Sequence, residues 1–185
     1  LLLKDQMDLV GIIIPRSAKL QTDFGTESLP AFLEETGFRQ VILNLAINAR
    51  DAIERNGRIK IRLRKVKKGE DIMVGASGEM RKAPSHGAEI SLSDNGKGIP
   101  HDIEEKLFDP FFTTKDSSSG SGFGLYNTKL FIEDHNGEIG FSSEIGKGSV
   151  FYLFLPLAID DEDDEGLRAK RMRRATREFI KTRKR

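Results

Sequence analysis

The chain has no cysteine, no tryptophan and only two tyrosines among its 185 residues. Without cysteine there can be no disulfide, thiol nucleophile, iron–sulfur cluster or cysteine zinc site. Long apolar runs are missing as well: the stretch from 9 to 14 is interrupted by Gly11 and is far too short to span a bilayer. Bulk charge of one sign is also absent. Thirty Lys/Arg against 29 Asp/Glu leave a formal net charge of +1, which offers no field for a nucleic-acid partner or a membrane surface. No signal peptide is visible and the first residue is Leu1, so the expectation is a piece of a longer protein from a reducing, cytoplasmic compartment, with membrane attachment of the parent left open.

What remains suffices for one buried core and an appendage. Residues 160–165 are six consecutive acids, and residues 166–185 carry ten Lys/Arg against one acid, Glu178. That shift, just after Pro156, divides a domain at 1–158 from an acidic-then-basic tail at 159–185. In the tail, Ala169, Met172, Thr176 and Phe179 recur at helical spacing, which reads as a solvated linker helix.

Inside the domain the apolar period switches between helix and strand. A short helix is expected over 1–10 and a strand over 18–24, where Ala18, Leu20, Thr22 and Phe24 share a face. From Thr36 or Gly37, residues Phe38, Val41, Leu45, Asn48 and Ala52 recur at helical spacing until Gly57. Ile59, Ile61, Leu63 and Lys65 alternate with Arg58, Lys60, Arg62 and Arg64, as in a strand with one wet face. Residues 69–87 read as a loop, 88–93 as a strand ending at Asp94, 126–133 as a helix, and 138–142 with 149–155 as a closing hairpin. The pattern predicts an α/β sandwich, strands on one side and helices on the other.

Several familiar devices fail. His86, His101 and His135 form no HExxH pair, and no serine lies in a GxSxG elbow. The string GFSSEIGKG at 140–148 has the wrong spacing for a P-loop, and glycines 120, 122 and 124 are spaced GxGxG rather than GxGxxG.

Four segments remain. In FRQVILNLAINARDAI at 38–53, Asn44 and Asn48 lie four apart and project from one helix face among apolar residues. A buried amide without a partner costs about 1–3 kcal/mol, so two on a core helix call for a reason. DNGKGIP at 94–100 puts a carboxylate at a strand end before a glycine turn. LFDPFFTTK at 107–115 follows, and GSGFGLY at 120–126 runs from a glycine loop into a helix N-terminus, where free N–H groups and the helix dipole favour anions. Singly each is ordinary: an asparagine can bridge core groups, DNG is a turn, Ser/Gly stretches link, and paired phenylalanines pack. Their joint order and spacing are not.

Together the segments resemble the N box, first glycine box, F box and second glycine box of the GHKL (Bergerat-fold) ATP-binding domain, specifically the catalytic domain of bacterial sensor histidine kinases. The resemblance covers about residues 18–156, with GKGSVF at 146–151 similar to the family's last turn. The NARDA string at 48–52 and PFFTTK at 110–115 are similar to the nitrogen-regulation sensors among them.

The resemblance implies a two-layer sandwich, a mixed but mostly antiparallel sheet on a layer of helices, with a mobile ATP lid at 109–124. It implies ATP and Mg2+ as cofactors. Asp94 would accept the adenine amino hydrogen, with Gly98 and hydroxyls, Ser149 among them, completing the base pocket through water. Asn48 would hold the magnesium, with Asn44 in support, while Phe111 and Phe112 anchor the lid. Gly122 and Gly124 would face the phosphates, and Lys115 would neutralise the outer ones. Gly96, Ile99, Phe108, Thr113, Thr114, Gly120, Ser121, Phe123 and Leu125 complete the expected nucleotide contacts.

Two departures carry weight. Hydrolytic relatives have a general-base glutamate where this chain has Asn44, which cannot take a proton, so transfer to a protein group is favoured over hydrolysis. Where many sensor kinases place a Lys or Arg three residues after the asparagine, this chain has Asp51, so Arg50 or Lys115 is expected to supply that charge. Residues 1–40 contain no histidine, so the acceptor is expected on a dimerisation domain outside the chain. His135 reads as structural and His101 as solvent-facing. The implied function is the kinase, a transferase of two-component signalling, in a homodimeric parent that also meets a response-regulator receiver domain. A hydrolytic ATPase and a nucleotide-free adaptor keeping the fold are the alternatives.

Overall fold

The alternation at 58–65 becomes a central part of a five-stranded sheet in the computed structural model, which describes residues 2–54, 56–76, 78–115 and 122–158. The tail at 159–185 and residues 116–121 of the expected lid lie outside the described residues. In chain order the elements are α1 (Leu2–Asp5), α2 (Met7–Ile13), β1 (Lys19–Asp23), α3 (Glu35–Ala52), β2 (Arg58–Val66), β3 (Asp71–Val74), β4 (Glu79–Lys82), β5 (Gly87–Asp94), α4 (His101–Glu104), α5 (Gly124–Asp134), β6 (Glu138–Glu144) and β7 (Gly148–Pro156). No described helix is long and apolar enough to cross a membrane.

The strand order is β1-β2-β5-β7-β6. Only β1 and β2 are parallel, and α3 is the crossover between them; every other pair in this sheet is antiparallel. Ile61, Leu92, Phe151 and Phe141 stand opposite one another across four strands, forming one buried row on the face that packs on the helices. Helix α3 answers with Phe38, Val41, Ile42, Leu45, Ala46 and Ala49, all buried, and α5 adds Ile132.

Helix α3 starts slightly earlier than the spacing suggested, because the Glu34 carboxylate caps it by accepting the N–H groups of Thr36 and Gly37. Those bonds hold the Glu34 carboxyl below its usual range. His135 is indeed structural in its contacts: its Nε2 accepts the Glu34 N–H at 3.2 Å and its Nδ1 lies 2.7 Å from the Phe131 carbonyl. Both contacts are satisfied by one neutral tautomer with the hydrogen on Nδ1. It thereby ties the end of α5 to the start of α3.

The region 69–87 is not the loop expected of it. It folds as the β3–β4 hairpin, whose Ile72 and Val74 close a second apolar cluster with Val66, Ala83 and Phe154. Backbone bonds from Gly75 to Ile139 and Phe141 fasten it to β6. The strands are four residues each and β4 is wholly exposed, too short and too polar for a period to register. The expected helix at 1–10 is two short ones, and α4 was not anticipated.

Phe141 is fully buried, edge-on to Phe108 at 5.9 Å and 5.7 Å from Phe151. Phe141→Ala should cost about 3–5 kcal/mol of stability in urea unfolding. A loss below about 1 kcal/mol would contradict this packing.

Candidate functional site

Helix α3 has two working faces. While its apolar stripe enters the core, Asn44, Ile47, Asn48 and Asp51, at i, i+3, i+4 and i+7, form a second stripe along the helix. This stripe is one wall of a cleft of about 490 Å³. The end of β5 with the following turn, the segment leading to Lys115, and the start of α5 supply the others.

At one end stands Asp94. Its Oδ1 accepts the Gly96 N–H at 2.8 Å, and the Ser149 N–H also bonds the carboxylate. Burial raises the Asp94 carboxyl above its ordinary range, against the pull of those two N–H groups. Beside it the Ser149 and Ser143 hydroxyls are 2.9 Å apart; Ser143 also accepts the Ile99 N–H at 2.8 Å and reaches the Gly148 carbonyl at 3.1 Å. Ser143 has a single hydrogen, so satisfying the carbonyl leaves Ser149 as donor to Ser143. Gly98 has φ +75°, and a Cβ there would lie 2.3 Å from the Glu144 carbonyl oxygen, so only glycine lets the turn meet the β6–β7 connection.

At the other end lie Asn48, Asp51 and Lys115. The Lys115 Nζ is 2.6 Å from Asp51 Oδ2 and 3.3 Å from Asn48 Oδ1, and Arg50 Nε donates to Asp51 Oδ1 at 2.7 Å. These partners hold the Asp51 carboxyl below its usual range, although burial opposes them. Asn44 is committed elsewhere: its Oδ1 accepts from Gln40 at 2.8 Å and its Nδ2 donates to the Gly124 carbonyl at 3.2 Å. That carbonyl also receives the buried Thr128 hydroxyl at 2.8 Å, which fixes the first turn of α5. Among the described residues no side chain caps α5, whose first turn faces the cleft at Gly124 and Leu125.

The family model described as "Histidine kinase-, DNA gyrase B-, and HSP90-like ATPase" matches residues 33–159. The chain belongs to this ATPase family. It is similar to the sensor kinase CckA of Brucella abortus, 36% identical over 171 residues, 91% of this chain but only 18% of that relative's length. Among solved structures, the catalytic domain of histidine kinase ThkA superposes with a TM-score of 0.64 at 28% identity, covering 84% of this chain and 90% of that one. A crystal structure of ThkA in complex with the response regulator protein TrrA gives 0.61 at 28%, covering 85% of this chain and 40% of that one. The fold is that of histidine-kinase catalytic domains, a mainly antiparallel sheet on a layer of helices.

Of the residues singled out in the sequence of this ATPase domain, Asn44, Asn48, Asp51, Asp94, Gly98, Ile99, Phe112, Thr113, Thr114, Lys115, Gly122, Gly124, Leu125 and Ser149 line the cleft. Others sit apart. Gly96 packs under it, where a Cβ would meet the Ala52 carbonyl at 2.4 Å, and Arg50 is turned to Asp51. Phe108 points into the core against Phe141, with the Lys129 ammonium 5.9 Å from its ring. Gly120 and Ser121 lie outside the described residues. The pair expected to anchor the lid is split: Phe112 lines the cleft, whereas Phe111 is 71% exposed at φ +65° and meets only the Phe123 ring, at 4.6 Å, among described aromatic partners. Gly122 packs directly on the Phe111 backbone: its φ is +70° and a Cβ there would lie 2.4 Å from the Phe111 carbonyl carbon.

Sequence reasoning missed Lys97, Ile103, Leu107, Ile145 and Phe151, which also line the cleft, and Ser143 behind it. Ile47 was within reach, since it completes the helical stripe of Asn44, Asn48 and Asp51. His101 is solvent-facing, 82% exposed by its side chain, beside the buried Glu104.

The folded chain holds the Asp94 proton more tightly than the unfolded chain does. Folding is therefore helped by that proton at low pH, and the advantage is lost as pH rises from about 4, the ordinary carboxylate range, through the raised value. Asp94→Asn, which keeps an acceptor for Gly96, should be the more stable protein at neutral pH, and its lead should shrink towards about pH 4 in urea titrations. A lead that does not change with pH would rule out the burial effect.

Proposed function

We propose that the chain binds ATP with Mg2+ and presents the γ-phosphoryl group to a histidine on a dimerisation domain outside it, within two-component signalling. The carrying observation is the polarity of one cleft: a half-buried carboxylate at one end and an uncapped helix N-terminus at the other. Adenine offers an amino hydrogen to the first, and a triphosphate offers anionic oxygens to the second. Between them, apolar Ile99, Ile103 and Leu107 suit the faces of a base.

In this reading Asp94 fixes the base, and Ser149, held by Ser143, orders water beside it. The α5 N–H groups, freed by Gly122 and Gly124, receive the phosphates. The donor set fits the metal: Asn48 Oδ1 and Asp51 Oδ2, both hard oxygens, already converge on a cationic atom. Mg2+ would be held at Asn48 and would shield phosphate charge. The acceptor histidine's nitrogen bonds to the γ-phosphorus as the bond to the β,γ-bridging oxygen breaks, and ADP leaves with that electron pair. Such transfer needs placement and charge neutralisation rather than covalent help from the protein. Asn44 is occupied by Gln40 and Gly124 and carries no proton-accepting group, which supports transfer over hydrolysis. NARDA and PFFTTK support a nitrogen-regulation-like subclass. ThkA meeting TrrA supports a receiver-domain partner, and a supply of ATP fits a cytoplasmic site; a homodimeric parent is part of the same reading.

Calorimetric titration with Mg2+ and a non-hydrolysable ATP analogue should show binding by the native chain, weakened at least about tenfold by Asp94→Asn, the scale of a lost hydrogen bond to a charged group. ATP without an acceptor domain should release negligible phosphate. Native chain without affinity would establish the adaptor reading instead, and rapid phosphate release the hydrolytic one.

A further inference from the structure

One side chain occupies the ground this reading gives to the metal. The Lys115 Nζ is held by Asp51 Oδ2 and Asn48 Oδ1, two oxygens one helical turn apart on α3. Arg50 grips the other Asp51 oxygen, so Oδ2 is kept turned to Lys115. Lys115 belongs to a different segment, the one that follows Phe112, and its backbone N–H is bonded to the Thr113 hydroxyl at 3.1 Å. The ion pair is therefore a strap from α3 to the wall formed by the segment 112–115. An ammonium and a divalent cation cannot share two oxygens, because the repulsion of like charges adds to the loss of ligands.

We propose that Asn48 and Asp51 form a single cation position used in turn, by the Lys115 ammonium in the nucleotide-free protein and by the nucleotide's divalent cation on loading, with Asp51 facing the metal beside Asn48. The inference rests on the ATP reading above. Exchange does two things at once. It releases the strap, and it sets free a cation at the place where phosphate charge arrives. Arg50 stays on Asp51 throughout, so the carboxylate never stands without a counter-charge. Asp51 thus acts through the cation it holds, and its presence where a basic residue was expected becomes part of the site's logic. No described cluster of three or more acidic or histidine ligands competes for the ion, as suits a cation that keeps most of its water and phosphate ligands.

The test uses the full chain without nucleotide and Mn2+ alone as probe, read by electron paramagnetic resonance of the free ion. Lys115→Met should bind Mn2+ roughly fivefold or more tightly than the native chain, the scale of a partly exposed ion pair, and Asp51→Asn should bind it more weakly than either. Both side chains are partly exposed in the cleft, and circular dichroism checks that the variants fold. Amide hydrogen exchange at 113–115 should quicken when Mg2+ is added to the native chain, and should already be fast and indifferent to Mg2+ in Lys115→Met. Unchanged or weaker Mn2+ binding by Lys115→Met overturns the proposal. So does tighter binding without the exchange response, which would report charge removal alone. Nucleotide affinity in EDTA is measured on the same samples. A native chain that binds nucleotide there while failing the metal tests refutes only the exchange, whereas a chain binding no nucleotide under any condition refutes the ATP reading itself.

Discussion

Helix α3 is under a constraint that the other elements inherit. It must seal the inner face of the sheet with Phe38, Val41, Ile42, Leu45, Ala46 and Ala49, and also line a polar cleft with Asn44, Asn48 and Asp51. A helix of 3.6 residues per turn can do both only if the two stripes are adjacent and the helix cannot roll. Rotation by one residue, about 100°, would bury an amide and expose a leucine. The Glu34 cap and the His135 clasp fix the start of α3, and its last carbonyls meet the glycine turn, with the Lys97 N–H on the Ala52 carbonyl at 3.0 Å. The Lys115 end and the Asp94 end of the cleft are therefore measured from the same rod.

That rod also explains why the two asparagines differ although they look equivalent. Asn48 meets only Lys115 among the described hydrogen bonds, a contact that can be exchanged. Asn44 is spent on Gln40 and on the Gly124 carbonyl, which Thr128 shares from below. One asparagine keeps a ligand position open, while its neighbour holds the first turn of α5 at a set distance from it. The spacing of four carries both roles, and it is the contacts from other elements that separate them.

Legibility in the sequence followed the size of each energetic signal. The period of α3, the alternation of β2 and the closing hairpin of β6 and β7 each bury several side chains per element, and a strong burial preference leaves a strong pattern. Asp94 and the α5 glycines were legible because few structures besides a site explain a carboxylate and a glycine loop in that order. The β3–β4 hairpin was not, since it rests on Ile72 and Val74 and on backbone bonds from Gly75, and backbone bonds leave no side-chain pattern. The separate fates of Phe111 and Phe112 turn on a positive φ opposite Gly122, a fact of tertiary contact with no local trace. Ser143 is one of many serines until Ile99, Gly148 and Ser149 surround it.

Four departures from ordinary folding practice lie around the same cleft. Asp94 is a carboxylate kept partly from water, α5 begins with no side-chain cap among the described residues, Phe111 adopts a left-handed backbone with its ring largely exposed, and Lys115 joins two walls through Asp51 and Asn48. Away from the cleft the record is mixed: Glu89 is buried but gripped by Arg64 through two bonds of 2.6 and 3.0 Å and Glu34 is bonded to the helix it caps, whereas the buried Gln6 amide has no hydrogen-bond partner among the described residues. A ligand bringing a hydrogen-bond donor to Asp94 and anionic oxygen to α5 and Lys115 would settle all three polar exceptions at once. Binding and local ordering would then be one event, because one ligand would engage Asp94, α5 and Lys115 together.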